Sequence, residues 1–126
     1  MTYLRPSILA CALLVALLSG PGCDRSSAPP TPLAVEELPG AFGKAFSKAK
    51  PEIKAAADQI VAAVQAQDYS KAFLVLQSLV GKPDLTKEQV SVTSRGLLTV
   101  NTLLQAAQAK GDTKAAEVIK FHQTTK

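Results

Sequence analysis

Few residues in this 126-residue chain could do chemistry, and Cys23 has the clearest setting. It carries a thiol that is reactive as the thiolate, and the small residues Ser19-Gly20-Pro21-Gly22 stand directly before it. Upstream lie an apolar run from Ile8 to Leu18 and the positive charge of Arg5. That order meets the requirements of a bacterial export signal, and a cysteine just past the small residues meets those of lipid attachment. The apolar run is about 11 residues, well short of the roughly 20 that span a hydrocarbon core. Gly20 and Gly22 sit where a signal peptidase needs small side chains for a cut before Cys23. The other cysteine, Cys11, lies inside the apolar run and would leave with it. A single remaining cysteine cannot close an intramolecular disulfide, and acylation would protect an otherwise free thiol in an oxidising envelope.

The remaining candidates offer less. His122 is the chain's one histidine, so neither a His-based metal cluster nor a His-assisted nucleophile has its partners. It reads as a solvated or half-buried residue on a last helical turn. Asp68 and Asp112 read as helix caps, and Glu36-Glu37 as negative charge at a helix start. No carboxylate pair, phosphate-binding glycine loop or zinc motif stands out. The expectation is therefore no catalytic residues, no metal and no cofactor.

The stretch from Leu18 to Cys23 resembles the lipobox of bacterial lipoproteins, in which a small residue precedes a cysteine that is diacylated on sulfur. The usual pattern has Leu three residues before the cysteine; here Leu18 is five before it and Pro21 is two before. The resemblance implies lipid attachment at Cys23, a membrane-anchored chain facing the periplasm or exterior, and secretion where that lipid is absent. Asp24 resembles the inner-membrane retention signal of enteric lipoproteins, which leaves inner and outer membrane open.

These assignments divide the chain into a signal peptide at 1–22, a lipid-attachment and linker segment at 23–32, and a helical domain at 33–126. The linker holds Pro29, Pro30 and Pro32 among Ser, Ala and Thr. Such a segment favours extended polyproline II, at about 3.1 Å per residue, and would serve as a semi-rigid spacer.

From Leu33 onward the pattern is helical, with no apolar alternation of the kind strands show. Ile53, Ala56, Ile60 and Ala63 trace one stripe; Val90, Thr93, Leu97, Val100, Leu104 and Ala107 trace another. Pro51 suits a first helical turn, and Thr86 to Gln89 matches a capping box. Asp68 heads a helix with Ala72, Phe73, Leu76, Leu79 and Val80 that ends at Gly81. Asp112 heads a last one with Ala115, Ala116, Val118 and Ile119. An opening helix with Leu38, Phe42, Phe46 and Ala49, weakened by Gly43, either stops before Pro51 or runs on as one kinked helix.

A shift of 44 residues lays Ile53 on Leu97, Ala56 on Val100, Ile60 on Leu104 and Ala63 on Ala107. It also lays Gln67-Asp68 on Gly111-Asp112. The segment Asp68-Tyr69-x-x-Ala72, followed by Leu76, Leu79 and Pro83, resembles the second half of a tetratricopeptide repeat, and Gly111-Asp112-x-x-Ala115 echoes it. The period is longer than the 34 residues of that repeat, Gln67 replaces a glycine, and the first-helix Trp and Gly-x-x-Tyr positions are unfilled. The expected fold is all-α: four to five helices as antiparallel helical hairpins, tetratricopeptide-like or a small bundle.

Without residues 1–22 the chain keeps 13 basic and 10 acidic residues, a net charge of about +3. Lys44, Lys48, Lys50 and Lys54 cluster around Pro51, and Lys110, Lys114, Lys120 and Lys126 recur along the final helix. These read mainly as wet helix faces, with contact to anionic lipid or envelope polymer as the alternative. Tyr69 and Phe73, one turn apart, read as core. Export argues against nucleic acid as a partner. The functional expectation is a non-catalytic protein-interaction or scaffolding module, anchored through lipidated Cys23 and partnered by another envelope protein. The alternative is a secreted or tethered binder of a small apolar ligand or an anionic envelope polymer.

Overall fold

A computed structural model describes residues 28–126, so Cys23, Cys11 and the export-like segment lie outside the described residues. The described chain is all-α, with five helices packed on one another and no strand. They are α1 (Leu38–Ala45), α2 (Pro51–Gln65), α3 (Tyr69–Val80), α4 (Lys87–Ala109) and α5 (Thr113–Thr124).

Each boundary has a local cause. Pro51 occupies the first turn of α2, where its missing N–H has no intrahelical partner. It also separates α1 from α2: the chain leaves helix at Phe46 and re-enters at Pro51, so two helices form rather than one kinked one. Glu37 stands at the N-cap of α1 and Pro39 lies in its first turn. At α4 the capping box is complete. The Gln89 N–H donates to Thr86 Oγ1 at 3.2 Å, and the Thr86 N–H donates to Gln89 Oε1 at 3.0 Å. Asp68 accepts from the Lys71 N–H and Asp112 from the Ala115 N–H, each at 3.1 Å.

The turns before α3 and α5 match bond for bond across the 44-residue shift. The Asp68 N–H donates to Ala63 O at 2.8 Å and the Asp112 N–H to Ala107 O at 3.0 Å. The Gln67 N–H reaches Val64 O and the Gly111 N–H reaches Gln108 O, both at 3.0 Å. This is a Schellman ending that flows straight into a capped helix. Such an ending needs a left-handed residue, and both positions supply one, with φ of 57° at Gln67 and 94° at Gly111.

The core is one cluster drawn from all five helices. Leu38, Phe42 and Phe46 meet Ile53, Ala57, Ile60, Ala63 and Val64 of α2, then Ala72, Phe73, Leu76 and Leu79 of α3. Val100 and Leu104 of α4 and Ala115 of α5 complete it. Phe42 and Phe46 stack with ring centroids 5.6 Å apart.

The buried line of α4 is rotated from the apolar stripe. It runs through Gln89, Thr93, Gly96, Val100 and Leu104, while Val90 is 49% exposed and Leu97 half-buried. The cause is α1. The Ala45 carbonyl at the end of α1 takes a hydrogen bond from Gln89 Nε2 at 3.1 Å, so a polar side chain is drawn inward there. Thr93 satisfies its own hydroxyl on Gln89 O at 2.6 Å. Gly96 leaves room for the Phe42 ring, whose Cε2 lies 2.8 Å from where a Cβ would be. On α2 the buried line runs through Ala57, with Ala56 half-buried. Val80 is exposed at the end of α3, and Gly81 caps that end at an ordinary negative φ.

The segment before α1 is tied to α4. Thr99 Oγ1 donates to Leu33 O at 2.6 Å and Arg95 Nε donates to Thr31 O at 2.9 Å. Leu33 is buried, so packing begins there, while the carbonyl of Thr31 is already held.

Candidate binding groove

Helices α3, α4 and α5 enclose an open groove of about 310 Å³. Its apolar floor comes from Phe73 on α3, Leu97 and Leu98 on α4, and Ile119 on α5. Around it stand side-chain amides: Gln77 one turn beyond Phe73, Asn101 and Gln105 one turn apart on α4, and Gln123 on α5. His122 and Lys126 close the α5 side. The helical period places each set on one face of its own helix. The α4 face is the one left uncovered by α1, because the rotated buried line turns Leu97, Leu98 and Asn101 toward α3 and α5.

Such a surface offers apolar contact and hydrogen bonds. Each amide offers donors and an acceptor, and none of the four carries charge. An apolar floor with convergent uncharged polar groups suits an extended peptide or a small amphiphilic molecule. Leu98 of that floor is 38% exposed.

His122 is half-buried, and its ring meets Phe73 edge to face with centroids 5.4 Å apart. Phe73 is buried and Tyr69 packs against the core from a half-buried position, so the pair is core with Phe73 reaching the groove floor. Asp68 and Asp112 serve as caps. Among the described residues, no group of three or more His, Cys, Asp or Glu could hold a metal ion. Cys23, the one predicted attachment site, lies outside the described residues.

The lysines around Pro51 gather at one end of the molecule. There Lys50 Nζ donates to Asp84 Oδ2 at 3.0 Å, joining the loop after α1 to the loop after α3. The hydrogen bond and charge of Asp84 hold Lys50 above its ordinary 10.5, with slight desolvation opposing and the Glu52 charge adding. A lysine raised in this way keeps its contribution below its ordinary value and loses it only as pH climbs through the raised one. Both partners are well exposed, so the pair fixes loop register more than it stabilises the fold. At the opposite end the turns before α3 and α5 meet, enclosing a crevice of about 480 Å³ that Tyr69, Leu103 and Lys110 help line.

The groove amides were not singled out by sequence pattern. They carry neither charge nor a catalytic spacing; the signal available was the i, i+4 pair Asn101 and Gln105 on one face of α4.

No family model, curated protein or solved structure matches this chain. No helix among the described residues is long and apolar enough to cross a membrane.

Proposed function

We propose that this chain is an exported, lipid-anchored bacterial envelope protein whose helical domain binds another envelope protein without catalysis. The observation that carries the binding half is the α3–α4–α5 groove, with its apolar floor and four uncharged amides. The anchoring half rests on the order Arg5, Ile8 to Leu18, small residues and Cys23. Antiparallel helical hairpins of tetratricopeptide-like kind are the architecture we assign to the repeated unit. Its support is the Schellman turn, hydrogen-bonded alike at Gln67-Asp68 and Gly111-Asp112.

In this reading the two halves are complementary. An anchor holds the domain near its partner, so modest groove affinity suffices through effective concentration. Crosslinking in intact cells followed by purification tests it, comparing the natural protein with an Asn101→Arg, Gln105→Arg variant. Loss of one defined partner from the variant supports the reading. An identical set of captured proteins from both forms removes the groove from the account. Binding of a small amphiphilic ligand is the second reading, favoured by the groove's volume at the lower edge of ligand sites.

A further inference from the structure

The exported chain is polarised, and the polarity coincides with the direction of the tether. At the end where the Lys50–Asp84 bond joins two loops lie Lys44, Lys48, Lys50, Lys54, Lys82 and Lys87, all exposed. The carboxylates there are Glu52, Asp84 and Glu88, which leaves three positive charges in excess. At the other end, Lys71, Lys110 and Lys114 face Asp68 and Asp112, an excess of one, while Glu36 and Glu37 stand beside the middle of α4, between Leu33 at Thr99 and Phe42 at Gly96.

The tether's course follows from two hydrogen bonds. The Thr31 carbonyl sits at Arg95 and the Leu33 carbonyl at Thr99. Four residues of helix rise about 6 Å, which matches two residues of extended chain. The segment therefore runs extended along α4 and in the direction of α4. Traced backward from Thr31, it heads for the helix start at Lys87, the lysine end. From Arg95 to Lys87 is about 12 Å along the helix. Eight residues separate Thr31 from Cys23, a reach of about 25 Å at polyproline spacing. At that greatest reach an anchor at Cys23 would lie about 13 Å beyond the lysine end, between one and two Debye lengths in physiological salt. Bringing the opposite end to a membrane requires the tether to double back from Arg95 past Ala109, about 21 Å along the helix, which uses nearly all of that reach.

We propose that the lysine end docks on anionic lipid headgroups of the membrane that holds Cys23. This rests on the anchored reading above. Lysine near an anionic surface strengthens attraction by roughly fivefold per residue. Replacing Lys44, Lys48, Lys54 and Lys87 by Gln therefore lowers the docked-to-free ratio by up to a few hundredfold by the same rule. Lys50 is left in place because it pairs with Asp84.

The test uses the mature protein purified from membranes, with an environment-sensitive fluorophore at Ser47→Cys or, in a second form, at Thr113→Cys. Ser47 lies among the lysines and Thr113 starts α5 at the other end; both are exposed. Each form is reconstituted in vesicles of phosphatidylcholine alone, or of phosphatidylcholine and phosphatidylglycerol in equal parts, with a headgroup quencher. The expected result is strong quenching at position 47 on the anionic vesicles only. High salt or the four-lysine variant abolishes it, and position 113 stays unquenched. Equal quenching at both positions, or quenching at 47 indifferent to lipid charge, overturns the proposal. If soluble poly(glycerol phosphate) shifts the probe at 47 while anionic vesicles do not, the end binds polymer and the lipid proposal falls. Flotation with neutral vesicles in high salt reports the anchor separately. Failure there, with a second label appearing on Cys23, overturns the anchored reading itself.

Discussion

Replacing Gly96 by alanine should destabilise this domain, although glycine is a poor residue for a helix interior. Gly96 lies in the middle of α4, where alanine ordinarily gains about 1 kcal/mol. Here the new Cβ would stand 2.8 Å from Phe42 Cε2 and 2.9 Å from Cζ. Carbon atoms rest at roughly 3.5–4.0 Å, so the ring must withdraw by about 0.7–1.2 Å, the difference between those distances. Phe42 is 1% exposed and stacked on Phe46, so its retreat pushes into a filled core. Overpacking of that kind costs about 1–3 kcal/mol, which exceeds or cancels the helical gain. The comparison is Gly43→Ala on α1, where nothing lies within 4 Å of the new Cβ. That change should stabilise by about 0.5–1 kcal/mol. Urea unfolding followed by circular dichroism measures both, and the two variants should differ by about 1–3 kcal/mol. Adding Phe42→Leu should recover part of the loss in Gly96→Ala, as expected of coupled neighbours. If both alanines stabilise alike, α1 does not cross α4 at Gly96 and the packing described here is wrong.

The paired turns predict opposite responses to exchange. Gln67→Gly should raise stability by up to about 1 kcal/mol, and Gly111→Ala should lower it by a similar amount, because both sites hold positive φ. Thr99→Val removes the donor to Leu33 O; limited proteolysis should then cut ahead of Leu38 much faster, with the helices intact. Leu104→Asp buries an unpaired charge at a position with no exposure and should abolish the cooperative thermal transition.

Local punctuation was highly legible. Pro51, Asp68, Asp112 and the Thr86 to Gln89 box act on neighbouring backbone groups within four residues, and each is where its chemistry implied. What lay beyond local reach was the rotation of α4. Nothing near Val90 tells that Gln89 goes inward instead, since the reason is a carbonyl 44 residues away on α1. Gly96 is likewise explained only by the ring of Phe42. Gln67 hid its left-handed turn because its side chain does not advertise one, although the shift onto Gly111 pointed to it. The groove amides share this limit: an amide on a wet helix looks the same whether or not two other helices converge on it.

Cys23 is central to the proposed function, since the tether and the charged end are read from an anchor proposed there. Mass spectrometry of the mature amino terminus is the most direct test. The prediction is a chain that begins at Cys23 and carries diacylglycerol on sulfur, lost on Cys23→Ser. A mature chain that starts at another residue, or begins at Cys23 with an unmodified thiol, contradicts it.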